Sequence, residues 1–141
     1  MKLAGFNFTK INAEKGTKER PKDLKINTNI EILDITTKKS SFLKAKETFL
    51  VIQFSHMIEY GQGFAKIELS GNVALVLDSK MGKDILKEWK QKKMPVDFKI
   101  DVFNLILNKT NIRALPLEEE MNLPYHIPLP SLKHPGKEGK K

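Results

Sequence analysis

The chain reads as an α+β domain, a four-stranded antiparallel sheet followed by a long, kinked C-terminal helix packed on one face. Three observations predict it. Residues 48–77 alternate apolar and polar positions on either side of Gly61-Gln62, which is the pattern of a β-hairpin. Two earlier stretches, 3–12 and 24–37, alternate in the same way across a polar loop containing Gly16 and Pro21. Beyond Asp78 the apolar spacing changes from two to three and four and stays helical to about residue 122. Strands first and helices after them make an α+β order, with the helices gathered on one face of the sheet.

In the first strand Leu3, Phe6, Phe8 and Ile11 carry the apolar side. In the second, Leu24, Ile26, Ile30 and Ile32 share one phase, and Leu33 and Ile35 take the other. That switch predicts a bulge or twist near Ile32, because a one-residue slip turns every following side chain to the opposite face. In the third strand Leu50, Ile52, Phe54, His56, Ile58 and Tyr60 point one way. In the fourth, Ala65, Ile67 and Leu69 alternate, Gly71 allows a kink, and Val73-Ala74-Leu75-Val76-Leu77 is apolar throughout, so cover on both faces is expected. Asp78-Ser79 caps a lysine-rich helix over 80–93 whose buried stripe is Met81, Ile85, Leu86 and Trp89. Pro95 ends it. A second helix runs from 97 to 122, with Ile100, Phe103, Leu107, Thr110, Ala114 and Leu117 as its stripe. Val102, Leu105, Ile106 and Ile112 widen that stripe until little of the helix is polar. Pro116 should kink this helix or divide it at Leu115.

At 141 residues the chain is one domain's worth, read here as a single domain over 1–132 and a basic, disordered tail over 133–141. No apolar run approaches the ~20 residues of a membrane helix, and the first residues lack a signal-peptide core, which points to the cytoplasm. The absence of cysteine removes disulfides, thiol catalysis and cysteine metal sites together. The net charge of +8 raises nucleic acid as a partner. However, Arg20 and Arg113 are the only arginines, and the lysines are scattered over loops, one helix and the tail.

No constellation carries catalysis, and no cofactor or metal is expected. His56, His126 and His134 are far apart in sequence, with no carboxylates at ligand spacing. His56 is in phase with core residues and reads as a half-buried, satisfied histidine, while His134 reads as solvent-exposed. Glu118-Glu119-Glu120 diverge by ~100° each on a helix and read as a solvated face. The serines lack a nucleophile elbow, and Gly61-Gln62-Gly63 is a turn rather than a phosphate loop.

The apolar surface remains. Eight phenylalanines, five methionines and a nearly all-apolar helix exceed what one sheet–helix layer hides. The helix is followed by Leu123-Pro124-Tyr125-His126-Ile127-Pro128-Leu129-Pro130, where each residue before a proline is pushed toward extended backbone. An edge strand or polyproline II segment is expected there, with Leu123, Tyr125, Ile127 and Leu129 making one side apolar. Three prolines leave it few backbone hydrogen bonds, so it should be weakly held and replaceable.

This order of elements resembles the SecB family of protein-export chaperones and its archaeal relatives over most of residues 3–132. Phe6-Asn7-Phe8-Thr9-Lys10-Ile11 looks like the family's first strand, 13–23 like its crossover loop and 24–36 like the following strand. The stretches 49–54 and 64–69 look like its hairpin, and Leu123-Pro124-Tyr125-His126-Ile127-Pro128-Leu129 is similar to its proline-bounded segment. The resemblance implies a homo-oligomer, dimer or tetramer, that holds unfolded or nascent polypeptide in apolar grooves without ATP. It also implies that Leu24, Ile26, Phe54, Tyr125, Ile127 and Leu132 line the groove. The chain departs from the family in being basic, and its tail lacks the zinc ligands by which bacterial members dock the export motor. The alternative is a nucleic-acid-binding domain in which Phe6, Phe8 and Phe64 stack bases on an open sheet face.

Overall fold

The structure is a computed structural model, and it describes residues 1–16, 19–39, 41–132 and 135. The expected basic tail over 133–141, His134 included, lies outside the described residues except for residue 135. In chain order the elements are β1 (Lys2–Lys15), β2 (Ile26–Lys38), β3 (Glu47–Tyr60), β4 (Ala65–Asp78), α1 (Ser79–Trp89) and α2 (Val96–Glu120). They form one antiparallel sheet in the order β1-β4-β3-β2. The first two strands are therefore its two edges, with β4 and β3 between them. Gly61 and Gly63, with φ of +65° and +78°, make the turn between β3 and β4 in a conformation that glycine adopts freely.

The phase switch in β2 is a register shift between Ile32 and Asp34, which leaves Leu33 on the bulge. A second irregularity was not legible at its true place. β4 runs unbroken through Gly71, and the irregularity falls opposite it, where the register of β1 shifts between Phe8 and Lys10. A Cβ on Gly71 would lie 2.2 Å from the Asn7 carbonyl oxygen, so glycine lets the β1 backbone come this close.

Both helices cover one face. Along β3 and β4 every second residue is buried, and the intervening Phe49, Val51, Ala74 and Val76 are only half-buried. The expectation that 73–77 would be covered on both sides is not met among the described residues. The covered face divides into two apolar clusters. One joins Leu50, Ile52, Phe54, Val73, Leu75 and Leu77 to Ile85 of α1 and to Phe98, Val102 and Ile106 of α2. The other joins Ile58, Tyr60, Phe64, Ile67 and Leu69 to Ala114, Leu117 and Leu123.

Asp78 caps α1 by accepting the Lys80 amide at 2.8 Å. The buried stripe of α1 starts at Gly82 rather than Met81, which is exposed. A Cβ at Gly82 would stand 2.8 Å from Thr48 Cγ2, so the helix backbone itself rests on the start of β3. α2 differs from expectation in phase over its first half. Phe98, Val102, Ile106, Thr110 and Ala114 face the sheet at steps of four, whereas Ile100 is exposed and Phe103 and Leu107 are half-buried. A helix apolar on most sides has several competing stripes, and only contact with the sheet chooses among them. α2 also continues through Pro116, so the division considered at Leu115 does not occur.

Each helix ends the same way. Lys93 N donates to Glu88 O and Lys92 N to Trp89 O; Leu123 N donates to Glu118 O and Asn122 N to Glu119 O. With Lys92 and Asn122 at φ of 58° and 54°, both are Schellman closures built without glycine. At the second, Leu123 is buried against the cluster that contains Leu117, the hydrophobic contact that accompanies this motif.

Candidate functional site

The Schellman turn sends residues 123–132 back over the C-terminal end of α2, where the segment is irregular and joins no strand. The edge-strand expectation is thereby corrected, since proline at alternate positions leaves too few amides to build a ladder. Its side chains do not share one apolar side. Leu123 is buried, Ile127 is half-buried, and Tyr125, Leu129 and Leu132 are exposed. The Tyr125 hydroxyl donates to Glu119 at 2.5 Å, and that bond holds the phenol in its neutral form and raises its pKa.

What anchors the segment is polar and buried. Glu118 is wholly buried, which overturns its reading as part of a solvated acidic face. Its carboxylate collects three donors: the Tyr60 hydroxyl, the His126 backbone N–H at 3.0 Å, and His126 Nδ1 at 3.0 Å. His126 Nε2 lies 2.7 Å from Asn111 Oδ1. Both ring nitrogens thus lie against oxygen acceptors, Nδ1 on the buried carboxylate and Nε2 on the Asn111 amide oxygen. Burial of the Tyr60 ring, the hydrogen bond to Glu118 and the charge there all push its phenol upward.

His56 stands next to this pair, its ring 6.4 Å from that of His126. Thr110 donates its hydroxyl to Ile106 O at 2.9 Å and so accepts from His56 Nδ1 at 2.8 Å. His56 Nε2 is buried and has no partner among the described residues, so the expectation of a half-buried, satisfied histidine fails on both counts. Burial first, and then the charge of His126, lower its pKa to about 4. The neutral ring therefore prevails at ordinary pH. This polar junction separates the two apolar clusters along α2.

A second feature opens at the other end of the sheet, along the β2 edge. Ile30, Ile32, Leu33, Trp89, Met94 and Phe103 line a groove of about 470 Å³. Lys92 and Lys99 stand over its aromatic rings, Lys92 Nζ 4.5 Å from the Trp89 ring centre and Lys99 Nζ 5.6 Å from that of Phe103. Among the described residues β2 pairs with β3 alone, which leaves its outer backbone groups for another extended chain. Outside the groove, α2 turns Val96, Ile100 and Ile112 to solvent, at 72%, 52% and 70% exposure.

Of the other residues expected to touch polypeptide, Leu24 and Ile26 are half-buried beside the Tyr60 cluster. Phe54 is wholly buried beneath the sheet–helix interface, with Phe6 against it at 5.3 Å. The structure brings Leu24 and Ile26 to one cluster and leaves Leu132 fully exposed. Sequence reasoning missed Trp89, Met94 and Phe103 as a group, because the turn between the helices brings them to β2. For the base-stacking alternative the decisive point was aromatic phase. Phe6 and Phe8 are half-buried against Phe54, and Phe64 is buried, all three on the covered side.

Fold and surface together define a sheet–helix domain with an apolar groove beside a strand edge that no other described strand pairs. Compared with solved structures, the chain is similar to the Mycobacterium tuberculosis Rv1957 SecB-like chaperone, described in complex with a ChAD peptide from the Rv1956 HigA1 antitoxin. The likeness has 12% sequence identity and a TM-score of 0.48, and covers 95% of this chain and 91% of that one. No family model matches the sequence, and no curated protein does. No helix among the described residues is long and apolar enough to cross a membrane.

Proposed function

We propose that the protein is an ATP-independent holdase that binds unfolded or nascent polypeptide through apolar grooves. The observation that carries this reading is the groove on the β2 edge, where unpaired backbone and an apolar floor lie side by side. An extended client adds as a further strand, its backbone bonding to β2 and its alternate side chains entering the groove. Leu24, Ile26, Tyr125, Ile127 and Leu132 are proposed as further apolar contacts for the client, with the wholly buried Phe54 supporting the surface from within. The lysines around the groove favour clients with acidic flanks. The exposed face of α2 is proposed to pack on another copy, giving a dimer or tetramer that light scattering would measure.

The test is aggregation of a heat-denatured client at stoichiometric holdase. Suppression is expected, and Leu33→Asp, which places a charge on an exposed bulge, should weaken it without loss of fold. Unchanged client aggregation in the presence of folded protein overturns the proposal.

A further inference from the structure

We propose that residues 123–132 form a proton-released latch, held shut over the C-terminal end of α2 by the Glu118–His126 pair and opened when protons enter the buried cluster. The argument is one of hydrogen-bond supply. Three donors already converge on the Glu118 carboxylate, two of them from His126. A proton added to that carboxylate makes it a donor as well. The Tyr60 hydroxyl can turn to accept it, whereas the two N–H groups of His126 can only donate and lose their anionic acceptor. The contacts that break are those of His126, because Tyr60 belongs to β3 whereas His126 belongs to a segment with no ladder to hold it.

His56 acts in the same direction. Its Nε2 has no acceptor within reach, so a proton placed there has no partner. The cation so formed would lie buried 6.4 Å from the His126 ring, where an unpaired charge is costly. Separation of the segment relieves both conflicts by letting water reach the cluster. The remaining charged or titratable groups around it are Tyr60 of β3, Glu119 of α2, Tyr125 of the segment, and Lys15 of β1, whose Nζ donates to Met121 O at 3.0 Å. β2 and β4 place only Ile30 and Leu69 opposite His56. Release uncovers Ala114, Leu117 and the Tyr60 ring, against which Leu123 now packs. That this surface then takes up polypeptide rests on the function proposed above, whereas the release itself does not.

Hydrogen exchange of the full chain, expressed as protection relative to intrinsic rates, tests the latch between about pH 7 and about pH 4.5. The expected result is that protection of 123–127 falls roughly tenfold or more while β3 and β4 keep theirs. Glu118→Gln, which carries a donor where the acid would, should show the released state at both pH values. His126→Phe removes the segment's ring donors, leaves Glu118 bonded to Tyr60, and should show the same; it serves if Glu118→Gln fails to fold. Loss of segment and sheet protection in step overturns the latch, as does a wild-type acid transition in either folded variant. Release without client uptake at low pH overturns the holdase reading and leaves the latch standing.

Discussion

The two ends of the sheet–helix interface are held by different physics. At one end, Leu50, Ile52, Phe54, Val73, Val102 and Ile106 make a core of aliphatic and aromatic side chains, with no titratable group in the cluster. At the other, the apolar cluster around Tyr60 and Leu117 abuts a buried carboxylate, an imidazole ring and an amide in direct contact. The first end depends on filled volume and is indifferent to protons. The second depends on directed bonds, which fix the place of His126 to within a hydrogen-bond length and make that end sensitive to pH. The difference explains how a segment with three prolines and little burial keeps one position. It also shows why the exposed grooves and the buried cluster need not respond alike to a change of conditions.

The sharpest way to break the comparison is to remove volume from the apolar end. Phe54→Ala should cost about 3–5 kcal/mol and by nearly the same amount at pH 7 and pH 5, measured by denaturant midpoints. A strongly pH-dependent cost would mean that the two ends are not separable. Acid should act on the polar end alone. The unfolded chain takes up a proton at His56 near 6.5, while the folded chain resists until about 4, so stability falls as pH drops through that window. The loss should approach roughly 3 kcal/mol at the bottom of the window. His56→Leu should flatten this part of the pH profile, and it leaves Thr110 bonded to Ile106 O. Tyr60→Phe removes one donor from a buried carboxylate and should cost about 1.5–3 kcal/mol in thermal or chemical unfolding. The smallest effect is expected at the first helix end. Lys92→Gly relieves a left-handed backbone but loses the lysine over Trp89, so the net change should stay within about 1 kcal/mol.

The strands, the hairpin turn, the bulge after Ile32 and the capping of α1 by Asp78 were legible because each depends on neighbours in sequence. Alternation of period two is a local signal, and the slip from Ile32 to Ile35 showed the bulge directly. The phase of α2 was not legible. Ile100, Phe103 and Leu107 compete with Phe98, Val102 and Ile106 on equal hydrophobic terms, and the sheet's shape selected the second set. The candidate groove was half legible. Ile30 and Ile32 were visible as strand residues, but Trp89, Met94 and Phe103 reach them only through the turn between helices.

The sequence by itself determined four strands, two helices, the break between the helices at Pro95, and the placement of helices after strands. Those outcomes follow from periodicity and from proline's missing amide, which act within a few residues. Only the tertiary structure decided that Glu118 is buried while Glu119 and Glu120 are not. The three look alike along the chain, and their fates differ because the Schellman turn brings His126 back over one of them. His56, Thr110, Asn111, Glu118 and His126 become a single site because hydrogen bonds between groups up to 58 residues apart, as in Tyr60 and Glu118, satisfy in the fold what each would lose on leaving water.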